Sequence, residues 1–268
     1  MNPPPTTGGA PGSRNVLPAD ITTVLFDLDD TLVPYLTCWN TALDAVSQLL
    51  ARTHPGASGP YIAATYTRVS NILWRDYEQT LAHLGPIPVI RAHVWRTALH
   101  ECGIQPDETE LAHLVEDFAR RQLLAITPDR QAAARLERLA LHYRLGVVTN
   151  GDSTSQRAKL QHAGLDRYFD TVVCALDAGA RKPAPAPFLH AAAELSVAPE
   201  QCLYVGDSWA NDVVGAHDVG MHPVWICPDS TQTPPGRLPV ARFPDLLSCL
   251  NGLTSHAVGR PARETEPT

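Results

Sequence analysis

The chain has 268 residues, of which 44 % are hydrophobic and 18 % are charged, and its formal net charge is −7. This length suits one large domain or two modest ones, and the composition is that of a globular protein rather than a disordered chain. The acidic balance argues against a general nucleic-acid binder, which would present a basic patch. No stretch approaches the roughly 18 uncharged apolar residues of a membrane span, so we expect no membrane partner.

Both ends of the chain are predicted to be flexible. Residues 1–20 are rich in proline and glycine and contain no apolar stretch of a secretory signal, which favours a cytoplasmic location. Residues 254–268 are polar and are predicted to form a flexible tail. The six cysteines include no closely spaced pair for a zinc or redox site, so we expect reduced thiols.

Five short apolar runs are predicted to form buried strands. They are Thr22–Asp27, Leu145–Thr149, Thr171–Ala175, Cys202–Gly206 and Val224–Cys227. Helical patterns at 129–142, 153–162, 185–195 and 211–219 alternate with the last four. This alternation indicates βαβ units, and therefore an α/β fold with a Rossmann-like parallel sheet and helices on both faces.

A long helical segment separates the first predicted strand from the second. Helical periodicity covers residues 38–52, 61–83, 89–102 and 106–124, and Pro-Gly segments separate these helices. Asp107 is a predicted N-cap with Glu110 in the capping-box position. We therefore predict an all-helical domain at residues 34–126, inserted into an α/β core formed by residues 21–33 and 127–253.

Three carboxylates follow the first strand, in the run Asp27-Leu28-Asp29-Asp30-Thr31. Ligands of such sheets bind outside the carboxyl ends of the strands. Like charges so close together repel each other and favour a bound cation. The alternative is an aspartate-rich turn that only caps the next element.

The next two strands are followed by groups suited to an anion. Thr149-Asn150 supplies a hydroxyl and backbone N–H groups that can cradle a phosphate, although Asn-Gly is also a common turn. Lys182 is one of only two lysines, the other being Lys159, in a chain that otherwise uses arginine. Its compact ammonium suits a single oxyanion, and the alternative is a solvated side chain.

The fourth strand ends in the run Gly206-Asp207-Ser208-Trp209-Ala210-Asn211-Asp212, which again places carboxylates at the carboxyl edge. Asp207 or Ser208 could instead serve only as an N-cap. Taken together, the strand ends offer hard oxygen ligands for Mg²⁺ and an adjacent anion site. A divalent cation, an anion site and a spare carboxylate nucleophile are typical of phosphoryl transfer.

On these residues the sequence resembles the haloacid dehalogenase superfamily, in its phosphatase branch with a helical cap of the C1 type. The four family motifs occur in order as DLDDT at 27–31, Thr149, Lys182 and GDSWAND at 206–212. The resemblance covers roughly residues 21–250. It implies a Mg²⁺-dependent hydrolase that acts on the phosphate monoester of a small metabolite through an aspartyl phosphate.

The resemblance also implies a role for each motif residue. Asp27 is similar to the family's nucleophile, and Asp29 to its general acid and base. The carboxylates of Asp27 and Asp207, with the backbone carbonyl of Asp29, would hold Mg²⁺. Thr149 and Lys182 would bind the phosphoryl oxygens, and Asn150 would add a contact. Asp212 would orient Lys182 or a metal-bound water.

Other reactions of the same scaffold remain as alternatives. Dehalogenases of the family lack the second aspartate of the first motif, which is present here as Asp29. Sugar phosphomutases usually have glycine where this chain has Asp30. A non-catalytic phosphate-binding protein would not need the intact aspartates. The cap is expected to set specificity among sugar phosphates, phosphoglycolate and nucleoside monophosphates, and the expected assembly is a monomer or homodimer.

Overall fold

The computed structural model describes residues 18, 20–75, 77–229, 241–258 and 260–263. Within these residues one parallel sheet has the strand order β3-β2-β1-β4-β5-β6. The strands are β1 Thr23–Phe26, β2 Arg144–Thr149, β3 Thr171–Cys174, β4 Cys202–Gly206, β5 His222–Ile226 and β6 Ala241–Phe243. The first five agree with the predicted strands, whereas β6 was not predicted. The predicted leader lies outside the described residues except for Pro18 and Asp20.

Helices cover both faces of the sheet, as predicted. Alternate residues of β1 point to opposite sides, with Phe26 in one apolar cluster and Leu25 in the other. Leu136 and Leu250 belong to the first cluster and Phe188 to the second. Because the central strands are buried on both faces, they read in the sequence as continuous apolar runs.

Helices alternate with the strands between residues 130 and 226. In chain order the helices are α1 Tyr35–Thr53, α2 Gly59–Arg75, α3 Tyr77–Leu84, α4 Ile87–Glu101, α5 Glu108–Leu124, α6 Arg130–Ala140, α7 Ser153–His162, α8 Pro185–Glu194, α9 Gly215–Asp218 and α10 Leu246–Ala257. Two predicted helices differ. The segment 61–83 forms two helices, α2 and α3, and the segment 211–219 is a π-helical stretch, Trp209–Val214, followed by α9.

Helices α1–α5, here called the cap, lie between β1 and β2 in the sequence and share an apolar core of their own. Aromatic side chains form its centre, where the rings of Tyr66 and Trp95 lie 4.1 Å apart and Phe118 packs edge-on against both. The predicted capping box is confirmed: Asp107 accepts from the backbone N–H of Glu110, whose carboxylate accepts from that of Asp107. The cap therefore packs as a separate helical layer.

The prediction places the start of the flexible tail too early, at Thr254. Helix α10 continues to Ala257, and Leu253 and Ala257 are buried against the sheet. Beyond it, the guanidinium of Arg263 binds the carboxylate of Asp170 at 3.0 Å. The polar residues between Leu253 and Ala257 conceal this helix in the sequence because only every third or fourth side chain faces the core. Residues 259 and 264–268 lie outside the described residues.

Two further expectations concern membranes and thiols. In the part of the chain that the structure describes, no helix is long and apolar enough to cross a membrane. All six cysteines lie in that part, and none forms a disulfide.

Candidate active site

The carboxyl ends of β1, β2 and β4 surround a small cavity of about 130 Å³. Because these strands are neighbours in the sheet, residues far apart in the sequence meet at one edge. The cavity is lined by Asp27, Asp29, Thr149, Asn150, Lys182, Asp207, Ser208, Asn211 and Asp212. The structure thus brings together every site residue named from the sequence.

Lys182 is the centre of a buried network in this cavity. Its Nζ lies 2.6 Å from Oδ1 of Asp27, 2.7 Å from Oδ1 of Asp212 and 2.8 Å from the hydroxyl of Tyr204. Burial alone lowers the pKa of Lys182, but the Asp212 and Asp27 carboxylates outweigh it and hold this pKa well above its usual value. The two carboxylates therefore favour the charged form of Lys182 beside Asp27.

Tyr204, which the sequence reasoning missed, anchors this lysine. Its hydroxyl donates to the backbone carbonyl of Val148 at 2.9 Å and accepts from Lys182. Tyr204 lies on a fully buried strand, so in the sequence it resembles any other aromatic residue of the core. The sequence pattern does not show that its hydroxyl meets Lys182 and the carbonyl of Val148.

The cavity holds more carboxylate charge than Lys182 neutralises. Burial is the main cause that raises the pKa of Asp27 to about 8, with Lys182 opposing it and Asp212 adding to it. Burial and the Asp212 charge also raise the pKa of Asp207 to about 6. Carboxylate oxygens of Asp27, Asp207 and Asp212 lie within 4.8 Å of one another. A hard divalent cation fits this donor set, because it would compensate for both the burial and the mutual repulsion of these carboxylates.

The Asp29 side chain faces a different partner. Both of its oxygens accept from the ammonium of Lys159, at 2.7 and 2.8 Å, and Oδ2 also accepts from Nε2 of Gln156 at 3.1 Å. Its carboxylate is therefore not in the cluster of Asp27, Asp207 and Asp212, and the metal contact expected of Asp29 is its backbone carbonyl. Lys159 and Gln156 were not identified as site residues from the sequence. The scarcity of lysine is the signal that could have found Lys159.

The groups expected to bind phosphate are held by neighbouring side chains. Thr149 is buried, and its hydroxyl accepts from Gln156 at 2.5 Å. The side chain of Asn150 clamps the backbone of Lys182, accepting from its N–H at 2.8 Å and donating to its carbonyl at 3.0 Å. This side chain therefore fixes the lysine loop, which leaves the backbone of Asn150 as the group able to contact a phosphate.

The segment after β4 presents its carboxylates through tight packing. A Cβ at Gly206 would overlap the carboxyl group of Asp212, so only glycine permits this approach. Asp212 also accepts from the backbone N–H of Ser208 at 2.9 Å. The backbone carbonyl of Asp207 accepts from the indole N–H of Trp225 at 2.8 Å. A π-helical turn here is consistent with the enrichment of such turns at functional sites.

A larger cavity of about 450 Å³ adjoins the small one, and Asp29 and Asn150 line both. Most of its other walls come from the cap and include aromatic rings and amide side chains. These are Tyr35, Trp39, Tyr66, Trp74, Trp95 and Phe118, with Asn40, Asn71 and Gln122. Arg91 of the cap reaches α7, where it lies 3.3 Å from the hydroxyl of Ser155 and 3.5 Å from Asp152. The cap therefore closes over the edge that holds the aspartates.

Comparisons with known proteins agree with this arrangement. The family model described as haloacid dehalogenase-like hydrolase matches residues 21–220. The chain is 32 % identical over 246 residues to a phosphoserine phosphatase of Thermus thermophilus, covering 83 % of this chain and 95 % of that protein. It is 30 % identical over 209 residues to a glyceraldehyde 3-phosphate phosphatase of Methanopyrus kandleri, covering 77 % of this chain and 84 % of that protein.

Solved structures are similar over almost the whole chain. A 2-haloacid dehalogenase of Pseudomonas syringae superposes with a TM-score of 0.65 at 30 % identity, covering 88 % of this chain and 99 % of that one. A magnesium-bound hydrolase of Bacillus subtilis, YfnB, superposes with a TM-score of 0.67 at 23 % identity, covering 87 % and 98 %. The second comparison shows the shared fold alone.

Proposed function

Because the chain belongs to the haloacid dehalogenase-like hydrolases and is an enzyme with phosphatase relatives, we propose that it hydrolyses the phosphate monoester of a small metabolite with Mg²⁺. The observation that carries this proposal is the pairing of Asp27 with Lys182, 2.6 Å apart in a cavity that also contains Thr149 and Asp207. A carboxylate nucleophile beside a fixed cation is suited to attack on a phosphoryl group.

In the proposed first step, a carboxylate oxygen of Asp27 forms a bond to phosphorus while the bond from phosphorus to the leaving oxygen breaks. Asp29 gives its proton to that oxygen, so the alcohol leaves neutral. Lys182, Thr149 and the backbone of Asn150 bind the phosphoryl oxygens. When bound by the carboxylates of Asp27 and Asp207 and the backbone carbonyl of Asp29, Mg²⁺ supplies further neutralisation of phosphoryl charge.

In the second step, Asp29 takes a proton from water as the water oxygen bonds to phosphorus. The bond between Asp27 and phosphorus breaks, phosphate leaves, and both aspartates return to their starting states. Asp212 acts through Lys182, which it holds at 2.7 Å. These two steps need an acid and a base at one position, and Asp29 is the carboxylate that lines both cavities.

The larger cavity is the proposed site of the leaving group. The larger cavity meets the small one at Asp29, where the scissile oxygen would lie. The cap supplies most of the walls of the larger cavity. The relatives named above act on phosphoserine and glyceraldehyde 3-phosphate by name, which supports a small phosphorylated metabolite. The similarity to a 2-haloacid dehalogenase makes halide release the control reaction, and Asp29 argues against it because a departing halide needs no proton.

The experiment compares wild-type protein with the variants Asp27→Asn and Asp218→Asn, using p-nitrophenyl phosphate and a panel of phosphate monoesters with Mg²⁺. Asp218 is an exposed carboxylate on α9 and provides the matched control. We expect Asp27→Asn to lose at least about a hundredfold in rate and Asp218→Asn to retain wild-type activity. A rate above about a tenth of wild type in Asp27→Asn, or chloride release from 2-chloropropionate without phosphatase activity, would contradict the proposal.

A further inference from the structure

Helix α7 turns one face toward both the candidate active site and the cap. Gln156 and Lys159 are three residues apart and therefore share a face of the helix. Gln156 contacts Thr149 and Asp29, and Lys159 contacts Asp29. One turn earlier, Ser155 lies within 3.3 Å of Arg91 from the cap.

The ion pair between Lys159 and Asp29 is sheltered and specific. The side chain of Lys159 is 10 % exposed and that of Asp29 is 25 % exposed. The ammonium contacts both carboxylate oxygens, at 2.7 and 2.8 Å, so it fixes the rotation of the carboxylate. A chain that uses arginine almost everywhere else places a compact ammonium at this position.

Lys159 also contacts the first residue of the cap. Its Nζ lies 3.7 Å from the centre of the Tyr35 ring, a cation–π geometry, and Tyr35 begins α1 directly after the loop that carries Asp29. Asp30, in that loop, accepts from the backbone N–H of Leu36 at 2.9 Å. Lys159 therefore links the acid–base carboxylate to the start of the cap.

We propose that Lys159 is a positioning residue that holds the carboxylate of Asp29 in the orientation needed for proton transfer, and that Tyr35 ties this orientation to the cap. The proposal rests on the proposed function, in which Asp29 is the acid and base. When Asp29 has given its proton to the leaving oxygen, the Lys159 ammonium stabilises the carboxylate that remains. In the second step it holds that carboxylate where it accepts the proton of the attacking water.

The test separates the two steps by the choice of substrate. Departure of p-nitrophenolate needs no proton, so the first step on p-nitrophenyl phosphate does not depend on Asp29, whereas the attack of water does. We compare Lys159→Met, Lys159→Arg and wild-type protein, all loaded with Mg²⁺. Arg157→Met is the matched control, because Arg157 lies on the same helix and bonds instead to Ser153 and the carbonyl of Val172.

For Lys159→Met we expect kcat on p-nitrophenyl phosphate to fall by roughly tenfold to a hundredfold, with KM falling in proportion and kcat/KM nearly unchanged. Stopped-flow mixing should show a burst of about one p-nitrophenolate per active site, and acid quench should trap phosphoenzyme. Lys159→Arg should recover part of kcat, and Arg157→Met should match wild type. Thermal unfolding of each variant by circular dichroism identifies any that fail to fold.

The contact between Lys159 and the cap is tested by a pair of Tyr35 variants. Tyr35→Phe keeps the ring under the ammonium, whereas Tyr35→Leu removes it. Tyr35→Leu should therefore lower kcat about threefold more than Tyr35→Phe does, a smaller form of the Lys159→Met effect. Because both variants leave Lys159 in place, they report on its positioning even if Lys159→Met is unstable.

Three results would overturn the proposal. The first is a Lys159→Met variant with wild-type kcat and no burst. The second is an equal fall in kcat and kcat/KM with KM unchanged, which indicates a structural role. The third is equal behaviour of Tyr35→Leu and Tyr35→Phe. Active wild-type protein with any of these results rejects the Lys159 role alone, whereas wild-type protein that hydrolyses no phosphate monoester rejects the proposed function with it.

Discussion

Replacement of Asp27 by asparagine is expected to stabilise the metal-free protein at neutral pH while abolishing turnover. Asp27 is buried, and its pKa is raised to about 8 mainly by that burial, with Asp212 contributing. The amide of asparagine has nearly the same shape and keeps an oxygen to accept from Lys182 at the position where Asp27 does, 2.6 Å away. The substitution therefore removes the titrating charge and keeps the contact.

The magnitude follows from the difference between the pKa of Asp27 in the folded protein, about 8, and its ordinary value of 3.8. Because the folded state binds this proton more tightly, stability is full below pH 4 and falls as the pH rises toward 8. At pH 7 this raised pKa lowers the unfolding free energy of the metal-free wild-type protein by about 4 kcal/mol, at 1.36 kcal/mol for each pKa unit. Asp27→Asn does not lose this free energy. Its unfolding free energy should therefore exceed that of wild-type protein by an amount that grows from pH 4.5 to pH 8.

The assay is urea unfolding, followed by tryptophan fluorescence, in EDTA at several pH values between 4.5 and 8. Asp218→Asn, an exposed carboxylate, is the control and should follow wild type at every pH. Addition of Mg²⁺ should raise the unfolding free energy of wild-type protein, by about 2.7 kcal/mol at a hundredfold excess over its Kd, and that of Asp27→Asn by less. A pH-independent difference between Asp27→Asn and wild type, or a lower stability of the variant at pH 8, would refute the reasoning.

Three further predictions follow from the described contacts. Excess EDTA should abolish hydrolysis of p-nitrophenyl phosphate and Mg²⁺ should restore it, whereas Ca²⁺ should inhibit because it tolerates looser coordination; full activity in EDTA would reject the metal. Tyr204→Phe should lower the unfolding free energy in urea by about 1.5–3 kcal/mol, since it removes buried hydrogen bonds to Lys182 and Val148. Arg91→Met should raise KM for the best panel substrate several-fold and leave p-nitrophenyl phosphate little changed, whereas Arg96→Met, an exposed cap cation, should change neither.

The fold could be predicted where burial dominates the sequence pattern. The strands β1 to β5 are apolar on both faces, so their runs stand out, and α7 begins and ends where its pattern does. Strand β6, Ala241–Phe243, is short and only half-buried at the edge of the sheet, so it leaves no such run. Residues 211–214 lie in the predicted helix 211–219, but periodicity does not distinguish the π geometry of Trp209–Val214 from an α-helix.

The residues of the candidate site likewise fall into those that the sequence pattern predicts and those that it does not. Asp27 and Asp207 follow strands directly and Thr149 ends one, so the parallel topology alone predicts that they meet. Lys159 lies on the side of helix α7, and Tyr204 lies within strand β4. Their roles depend on the rotation of α7 about its axis and on which buried ring lies next to Lys182, and the periodicity of the sequence determines neither.

The most direct test of the account is to locate the phosphoryl group on the protein. Asp29→Asn protein is mixed with Mg²⁺ and p-nitrophenyl phosphate, quenched in acid and digested, and the peptides are mapped by mass spectrometry. The account predicts a phosphorylated peptide that contains Asp27, with the modification absent from the double variant Asp27→Asn/Asp29→Asn. A phosphoryl group on any other residue, or continued turnover by the double variant, would contradict it.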